Sequence, residues 1–293
     1  MSGLVADVAA LAARLDAVDY LADTGLATAL YLAVELPQPI ILEGEAGVGK
    51  TEAAKSLAHV LDTPLLRLQC YEGIDASEAL YEWNYPRQLL AIRLAEAQHE
   101  DFSEADLFAA DYLIARPLLQ AIEHPGPRPA VLLVDEIDRA DDEFEAFLLE
   151  LLAESSVTIP ELGTRRAVHA PIVVLTSNRT RDLHDALKRR CLYHWIDYPD
   201  LAQAVRIVRR RVPEATTSVA DQAVAAAARL RTLDVQKPPG IAEIIDWVAA
   251  LTLLGIGELD ADAVVATLGS VLKYSEDLDL VRSRGYDWVA AGD

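Results

Sequence analysis

One octapeptide restricts the fold of this chain more than any other feature: residues 44–51 read G-E-A-G-V-G-K-T. It fits the phosphate-loop pattern G-x-x-x-x-G-K-[ST] at every fixed position, after the apolar run 40–42 and before a helical stretch from Glu52. A strand, a glycine loop and a helix in this order form a cradle whose backbone N–H groups bind phosphate oxygens. The octapeptide therefore predicts an α/β nucleotide-binding fold, the alternative being an ordinary glycine-rich turn.

The phosphate-loop pattern also assigns roles within the octapeptide. Lys50 is predicted to reach the β- and γ-phosphates, and the Thr51 hydroxyl is predicted to bind Mg²⁺. The remaining nucleotide-binding positions of the loop are Gly44, Glu45, Ala46, Gly47, Val48 and Gly49. ATP and Mg²⁺ are therefore the expected cofactors.

Composition disfavours several classes of function. The formal net charge of −21 argues against the clustered basic surface that duplex DNA requires, so no nucleic-acid partner is expected. No apolar run reaches the roughly 18 residues of a membrane span. The first residues carry Asp7 and Asp16 and no basic segment, which makes a poor signal peptide. The sequence therefore predicts a cytoplasmic protein with reduced, packed thiols at Cys70 and Cys191.

Apolar patterning predicts two domains. Strand-like and helical segments alternate up to Pro199, whereas residues 200–293 show helical periodicity with three or four helices. We predict an αβα nucleotide-binding core with a parallel sheet over residues 1–199 and a smaller all-α lid domain over residues 200–293. Earlier helices are expected over residues 4–15 and 26–36.

Two segments interrupt the predicted core. Residues 71–116 have a helical pattern and form an insertion with the aromatic residues Tyr81, Trp83 and Tyr85. Residues 157–163 are short, β-like and end in a turn, which predicts a hairpin. The three aromatics either lie exposed and grip a protein client or pack in the interior.

Acidic residues follow the second apolar strand. Asp135 and Glu136 come directly after Val131–Val134, at the strand end where open α/β sheets bind ligands. Asp135 is predicted to hold the Mg²⁺ shell, and Glu136 to orient or activate the attacking water. Asn178 follows the strand 172–176, and its amide suits contact with the γ-phosphate or the water, although it also suits a helix cap.

Basic residues are concentrated further along the chain. Arg190, with Arg189 as substitute, ends a short predicted helix and is the candidate to enter a neighbouring subunit's site and neutralise transition-state charge. The alternative is a basic helix end favoured by the helix dipole. The window from residue 165 to residue 190 forms either a solvated face or an electropositive edge, and it contains Arg165, Arg166, Arg179, Arg181, Lys188, Arg189 and Arg190.

The motifs together resemble those of a known family. G-E-A-G-V-G-K-T, V-L-L-V-D-E-I-D at 131–138, T-S-N-R-T at 176–180 and A-L-K-R-R-C at 186–191 resemble the MoxR group of AAA+ ATPases. Residues 68–75, 81–86, 157–163 and 185–195 resemble its CoxD-like members, which are associated with carbon monoxide dehydrogenase maturation. The resemblance implies a homo-oligomeric ring, a hexamer, with ATP between protomers. It also implies a von Willebrand factor A domain partner and a chaperone-like task on a metalloenzyme client.

The lid departs from the AAA+ pattern. Ala242 or Glu243 stands where many AAA+ lids carry an arginine, and Lys237 is the candidate substitute. At the other end of the chain, Tyr20 and Leu21 are candidates to line the adenine pocket. Two other functions remain open: a P-loop small-molecule kinase, and a nucleotide-gated binding switch with little hydrolysis.

Overall fold

A computed structural model describes residues 3–36, 38–99, 101 and 103–290. The strands of this part of the chain are β1 (Ile40–Glu43), β2 (Leu65–Gln69), β3 (Tyr81–Trp83), β4 (Leu113–Ala115), β5 (Val131–Asp135), β6 (Ser156–Ile159), β7 (Gly163–Arg166), β8 (Ile172–Ser177) and β9 (Leu192–Trp195). The helices are α1 (Val8–Asp16), α2 (Thr24–Glu35), α3 (Lys50–Leu61), α4 (Ala76–Leu80), α5 (Tyr85–Gln98), α6 (Glu104–Leu107), α7 (Pro117–Ile122), α8 (Asp142–Glu154), α9 (Asp185–Arg190), α10 (Leu201–Arg211), α11 (Thr217–Leu230), α12 (Ile241–Leu253), α13 (Ala261–Thr267), α14 (Ser275–Arg284) and α15 (Tyr286–Ala290).

The chain divides into two compact units. The first unit contains residues 3–11, 24–43 and 54–194, and the second contains residues 12–23, 44–53 and 195–290. The second unit therefore joins the phosphate-loop segment and a short N-terminal segment to the C-terminal helices. The domain boundary expected near residue 199 remains a prediction.

A five-stranded sheet forms the centre of the first unit. Its strand order is β2-β5-β8-β1-β9, and the pairs β2–β5, β5–β8 and β8–β1 are parallel. Every residue of β5 and β8 is buried, as expected for strands covered on both faces. The register sets Gln69 opposite Asp135 and Glu43 opposite Ser177, so the carboxyl ends of these strands share one edge. The predicted α/β fold, a parallel sheet flanked by helices and followed along the chain by a helical region, is confirmed.

The core of the first unit packs helices against this sheet. Phe144 and Leu148 of α8 and Leu118 of α7 are almost fully buried in the same apolar cluster as Leu132 and Val134 of β5. Each such side chain contributes about 1.5–3 kcal/mol by leaving water. This packing holds α7 and α8 in the same apolar core as β5.

The insertion at residues 71–116 is only partly helical. It contains α4, α5 and α6, but β3 and β4 also pair antiparallel, with Tyr81 opposite Ala115. Trp83 is buried and packs edge-to-face on Phe108 and Tyr81, at centroid distances of 5.2 and 6.0 Å. Trp83 therefore follows the packed alternative of the two that the sequence left open, and its ring belongs to the first unit's apolar core. Tyr85 is exposed.

The predicted hairpin is confirmed and extends beyond residue 163. β6 and β7 pair antiparallel from Ser156 opposite Arg166 to Ile159 opposite Gly163. Ile159 and Val157 are buried in the first unit's core, whereas Thr158 and Thr164 face solvent with their hydroxyls 3.0 Å apart. The alternation follows from the two-residue period of a strand.

Two helix predictions differ from the structure. α1 begins at Val8 rather than Leu4, because the Asp7 carboxylate accepts the Ala10 N–H at 2.7 Å and caps the helix there. The described part of the C-terminal region contains six α-helices rather than three or four. Its shortest helices, α13 and α15, have seven and five residues, too few for apolar periodicity to mark them.

The second unit has its own apolar core, built by α10 to α15. Trp247 is fully buried at its centre, and its indole N–H donates to the Thr267 hydroxyl at 2.7 Å. A buried tryptophan needs such an acceptor because an unpaired N–H is costly away from water. None of the described helices is both long enough and apolar enough to cross a membrane.

Candidate active site

Asp135 ends β5 at the shared strand edge and is 3% exposed. Both of its carboxylate oxygens are engaged. Oδ2 accepts hydrogen bonds from Arg67 Nε at 3.0 Å and Nη2 at 2.6 Å, and Oδ1 accepts one from the Thr176 hydroxyl at 2.5 Å. Charge-assisted bonds of this kind orient a carboxylate firmly. Asp135 thus has one fixed direction at the sheet edge.

Glu136, the next residue, turns away from the strand through a rare backbone conformation. Its φ and ψ are 55° and 49°, in the left-handed region that residues with a Cβ seldom adopt. Its N–H donates to the Thr176 hydroxyl at 2.9 Å, and its Oε2 lies 3.3 Å from Arg139 Nη1. Its side chain is one-third exposed. Thr176 therefore bridges the two acidic residues, and the Glu136 carboxylate remains accessible to a water molecule.

Asn178 follows β8 and is held by a buried carboxylate. Asp138 is 2% exposed, and its Oδ2 accepts the N–H of Asn178 at 3.2 Å, the N–H of Thr180 at 2.9 Å and the Thr180 hydroxyl at 2.7 Å. The side-chain amide of Asn178 forms no hydrogen bond with a described residue. The backbone of Asn178 is thus fixed, while its amide is available for a ligand.

The phosphate loop lies in the second unit. Gly47 and Gly49 have φ values of 77° and 98°, which other residues rarely adopt. Lys50 is 7% exposed, and its Nζ donates to the carbonyl oxygens of Gly44 at 2.7 Å and Glu45 at 2.6 Å. The loop runs into α3, so its N–H groups and the positive end of the helix dipole suit an anionic ligand. The donor set fits a polyphosphate.

The N-terminus of α12 packs on this loop. The N–H groups of Ile241 and Ala242 donate to the Gly47 carbonyl at 3.0 and 3.4 Å. The Glu243 carboxylate accepts the Gly240 N–H at 3.0 Å and caps its own helix, with Lys237 Nζ at 3.8 Å. A Cβ on Gly47 would lie 2.6 Å from Glu243 Oε2 and 3.1 Å from the Gly240 Cα, so a larger residue would force the Glu243 side chain and this backbone to shift.

Tyr20 contacts the phosphate loop through its side chain, whereas Leu21 forms a hydrogen bond through its backbone carbonyl. The Tyr20 hydroxyl donates to the Gly49 carbonyl at 3.3 Å, and burial, aided by Asp23 and Glu52, raises the pKa of that hydroxyl. The carbonyl of Leu21 accepts from Gln203 Nε2 at 3.1 Å. Tyr20 thus lies beside the phosphate loop, and the adenine-pocket role of both residues remains a prediction.

Comparison with known proteins decides the family. Residues 39–191, just over half of the 293-residue chain, match the family described as AAA domain (dynein-related subfamily). The chain belongs to this family. Both the phosphate loop and the acidic end of β5 fall inside the matched AAA domain.

Individual relatives are more distant. Uncharacterized proteins of Staphylococcus aureus, for example from strains COL and NCTC 8325, are 26% identical over 172 residues. That segment is 57% of this chain and 58% of each relative, so the chain spans less than two thirds of their length. Among solved structures, the RuvB Holliday junction branch migration motor of Thermotoga maritima is similar with a TM-score of 0.48 at 16% identity, covering 84% of this chain and 68% of that one.

The α9 arginines of the AAA domain differ from one another. Arg190 Nη1 donates to the Leu149 carbonyl of α8 at 2.9 Å, whereas exposed Arg189 has no hydrogen bond or ion pair with a described residue. Most of the surrounding basic window is paired internally: Arg165 with Glu123, Arg179 with Glu43, Arg181 with Glu145 and Lys188 with Asp182. This pairing favours an ordinary charged face over an electropositive edge.

Several contacting residues escaped the sequence analysis. Arg67 and Thr176 were missed because their roles depend on strand pairing. Arg231 was missed as well: its guanidinium lies 4.2 Å from the Tyr198 ring centroid, and its Nε donates to the Pro239 carbonyl at 2.7 Å. Its buried Nη2 has no partner among the described residues, and burial lowers the pKa of its guanidinium.

Thr51 and Asp135 are the two predicted magnesium ligands. Among the described residues, no three or more His, Cys, Asp and Glu side chains group in a way that holds a metal ion. Mg²⁺ commonly takes one or two protein ligands and completes its shell with water and phosphate oxygens. The Thr51 hydroxyl and the Asp135 carboxylate, each taken by itself, are oxygen ligands of the kind that Mg²⁺ accepts. Because Arg67 and Thr176 already engage both Asp135 oxygens, contact through water suits Asp135 best.

Proposed function

We propose that this protein binds Mg-ATP and hydrolyses it to ADP and phosphate. The observation that carries the proposal is the Thr176 bridge, which orients Asp135 and fixes the backbone of Glu136 at the end of one buried strand. Membership of the AAA domain family supports nucleotide binding.

The roles follow from the chemistry of each side chain. Residues 44–49 bind the phosphates through backbone N–H groups, Lys50 neutralises the β- and γ-phosphates, and Thr51 and Asp135 hold Mg²⁺, Asp135 through water. The metal ion, when bound, offsets charge on the phosphate oxygens. Glu136 accepts a hydrogen bond from the attacking water and takes its proton, and the free amide of Asn178 contacts the γ-phosphate or that water. Tyr20 and Leu21 line the adenine pocket.

Hydrolysis is proposed to require a neighbouring subunit. An arginine of α9 enters the adjacent protomer's site and neutralises charge that develops in the transition state, an effect worth ~10³–10⁵ in rate. Arg190 and Arg189 are the two candidates. Since Arg190 is bonded to Leu149 in its own chain, Arg189 is the less constrained of the pair. The resulting assembly is a homo-oligomeric ring, a hexamer.

The cellular task rests on the resemblance to MoxR and CoxD-like proteins. We propose that ATP turnover drives movements of the lid helices and of the insertion, which remodel a metalloenzyme client together with a von Willebrand factor A domain partner. Exposed Tyr85 is the insertion aromatic best suited to touch a client, since Trp83 is buried.

Two rivals predict different observations. A P-loop small-molecule kinase would transfer phosphate to an added acceptor, whereas the paired Asp135 and Glu136 favour water as the acceptor. A nucleotide-gated switch would bind ATP with negligible turnover. The accessible Glu136 carboxylate argues against that switch.

The deciding experiment is the ATP hydrolysis rate per subunit against protein concentration, with Mg²⁺ and saturating ATP. A rate that climbs steeply and reaches a plateau is expected if the site is shared between subunits. A flat, substantial rate at nanomolar protein, with a monomer by mass measurement at the same dilution, would contradict the shared site. Negligible turnover throughout would favour the switch.

A further inference from the structure

Helix α9, which carries both candidate arginines, is fastened to α8 at each end. At its start, the N–H of the N-cap residue His184 donates to Glu145 Oε2 at 2.9 Å. At its last residue, Arg190 donates to the Leu149 carbonyl at 2.9 Å. Because α9 has only six residues, these two anchors determine where its arginines lie.

The second partner of Glu145 is Arg181, which also contacts the loop that follows Asp135 and Glu136. The Glu145 side chain is 0% exposed, and its Oε1 accepts a hydrogen bond from Arg181 Nη2. The same guanidinium donates from Nε to the Ala140 carbonyl at 2.9 Å and from Nη2 at 2.5 Å. One buried carboxylate therefore joins α9 to the loop that follows Glu136.

The loop after β8 belongs to the same network. Asp138, two residues before Ala140, holds Asn178 and Thr180, and Arg181 is the next residue along the chain. Because Asn178 and Thr180 share the Asp138 carboxylate and Arg181 follows Thr180, a shift of Asn178 on contact with nucleotide is expected to displace Arg181 as well. Since a buried carboxylate without its donors is costly, the bonds of Arg181 to Ala140 and Glu145 are expected to persist and α9 to follow.

We propose that Glu145 is a positioning residue that couples the Asn178 loop of one subunit to the α9 arginine which that subunit presents to its neighbour. This inference rests on the proposed shared site. Glu145 touches no reacting atom; it sets the place of α9 through its two partners, Arg181 and His184. Loss of Glu145 should reduce hydrolysis at the neighbouring subunit's nucleotide site and leave the subunit's own site intact.

The test variant is Glu145→Gln, which keeps the shape but replaces one acceptor oxygen with a donor. Either Arg181 or the His184 N–H then faces an NH₂ group, so one anchor is lost. Glu143→Gln is the matched control, since Glu143 lies on the same helix, is exposed and has no partner among the described residues. We expect Glu145→Gln to fold and bind a fluorescent ATP analogue as wild type does, with hydrolysis reduced roughly 10²-fold. Glu143→Gln should be unaffected.

Mixing experiments separate the two sites. Glu136→Gln subunits supply intact α9 arginines, whereas Arg189→Ala/Arg190→Ala subunits supply an intact acidic strand end. Glu145→Gln should regain hydrolysis when mixed with Glu136→Gln and gain none when mixed with the double arginine variant. Four outcomes would overturn the proposal: the reverse pattern, rescue by both partners, rescue by neither, or full activity of Glu145→Gln alone.

Two controls keep this result interpretable. Glu136→Gln mixed with the double arginine variant must itself regain hydrolysis; its failure would overturn the shared-site proposal and this inference with it. If Glu145→Gln does not fold, Arg181→Lys takes its place, because lysine cannot bond Ala140 and Glu145 with the same planar group. The same rescue by Glu136→Gln alone is expected for Arg181→Lys, and any other pattern would count against the coupling.

Discussion

The guanidinium of Arg67 donates two hydrogen bonds to a single oxygen of Asp135, at 3.0 and 2.6 Å. The two residues lie on neighbouring parallel strands, with Arg67 half-exposed and Asp135 buried. The carboxylate that is proposed to bind Mg²⁺ is therefore already paired with a positively charged guanidinium.

Replacing Arg67 with methionine should make Mg²⁺ bind more tightly in the nucleotide complex, because the arginine and the metal ion compete for the same Asp135 carboxylate. The half-saturating Mg²⁺ concentration for binding of a fluorescent ATP analogue should fall several-fold. Stability should also fall, by roughly 1–3 kcal/mol, because the buried Asp135 carboxylate loses two hydrogen-bond donors. Arg67→Lys, which keeps the charge, is the control, and an unchanged Mg²⁺ midpoint in Arg67→Met would refute the competition.

Thr176→Val should loosen both acidic residues. The hydroxyl donates to Asp135 and accepts from the Glu136 N–H, and valine of similar shape removes one donor from the Asp135 carboxylate and the acceptor of the Glu136 N–H in a buried place. We expect the free energy of unfolding to drop by roughly 1–3 kcal/mol and the hydrolysis rate to fall with it. Urea unfolding and steady-state hydrolysis measure the two effects. Thr176→Ser retains the hydroxyl and should stay near wild type; an equal loss in both variants would speak against the hydroxyl bridge.

Glu136→Gln should separate binding from turnover. The amide keeps its volume but cannot take a proton from water, so hydrolysis should fall by about 10²–10⁴-fold while affinity for ATP is retained. Equilibrium binding and phosphate release measure the two quantities. Undiminished turnover would remove Glu136 from the role of base, and lost binding would show that its carboxylate is needed to organise the site.

Gly47→Ala should abolish nucleotide binding without unfolding the chain. Alanine at a φ of 77° costs roughly 1–2 kcal/mol, and its Cβ would meet the Glu243 carboxylate. Binding of an ATP analogue and thermal unfolding measure the outcome. Gly47→Ala/Glu243→Ala removes the contact with the carboxylate but leaves the Gly240 Cα 3.1 Å from the new Cβ, so only partial recovery is expected. Gly269→Ala is the control, since a Cβ there has no described atom within 4 Å; unimpaired binding in Gly47→Ala would contradict the close contact.

The two buried thiols should make stability fall at alkaline pH. Burial, reinforced for Cys70 by the carboxylates of Asp135, Asp138 and Glu136, raises the pKa of each thiol to about 12. An unfolded thiol releases its proton near pH 8.5, so the unfolded chain binds fewer protons than the native one above that pH. The free energy of unfolding should therefore decline from about pH 8.5 upward.

Urea unfolding at intervals from pH 7 to pH 10 measures that decline. In Cys70→Ala/Cys191→Ala the slope of stability against pH should be shallower, whatever the absolute stability of the variant. Tyrosines such as Tyr20 contribute a decline of the same sign, so some slope should remain. An identical slope in the two proteins would show that the thiols do not retain their protons.

Local patterns predicted the parts of this molecule that depend on neighbours in sequence. The phosphate loop, the apolar strands β5 and β8 and the hairpin are each defined by a short run of residues, and the structure contains all of them. The pairing of β3 with β4 joins residues 30 to 34 positions apart, and no local pattern encodes it. The choice between exposed and packed insertion aromatics stayed open for the same reason, because Phe108 covers Trp83 from a distant part of the insertion.

The candidate site shows the same division. Asp135, Glu136 and Asn178 follow apolar strands and could be found from that placement alone. Arg67, Thr176 and Glu145 carry no sequence motif, since each acquires its partner only through strand pairing or helix packing. Asp138 is the last residue of the motif V-L-L-V-D-E-I-D, but its burial and its hydrogen bond with the Thr180 N–H depend on the fold.

The left-handed backbone of Glu136 has a consequence for efforts to engineer this protein. Such a conformation costs a residue with a Cβ about 1 kcal/mol or more, and glycine or asparagine would relieve that strain. A screen that selects only for thermal tolerance should therefore favour replacing Glu136, the residue proposed to activate water. Greater heat resistance and loss of turnover would then arise from one substitution, so selection for robustness at this position opposes selection for activity.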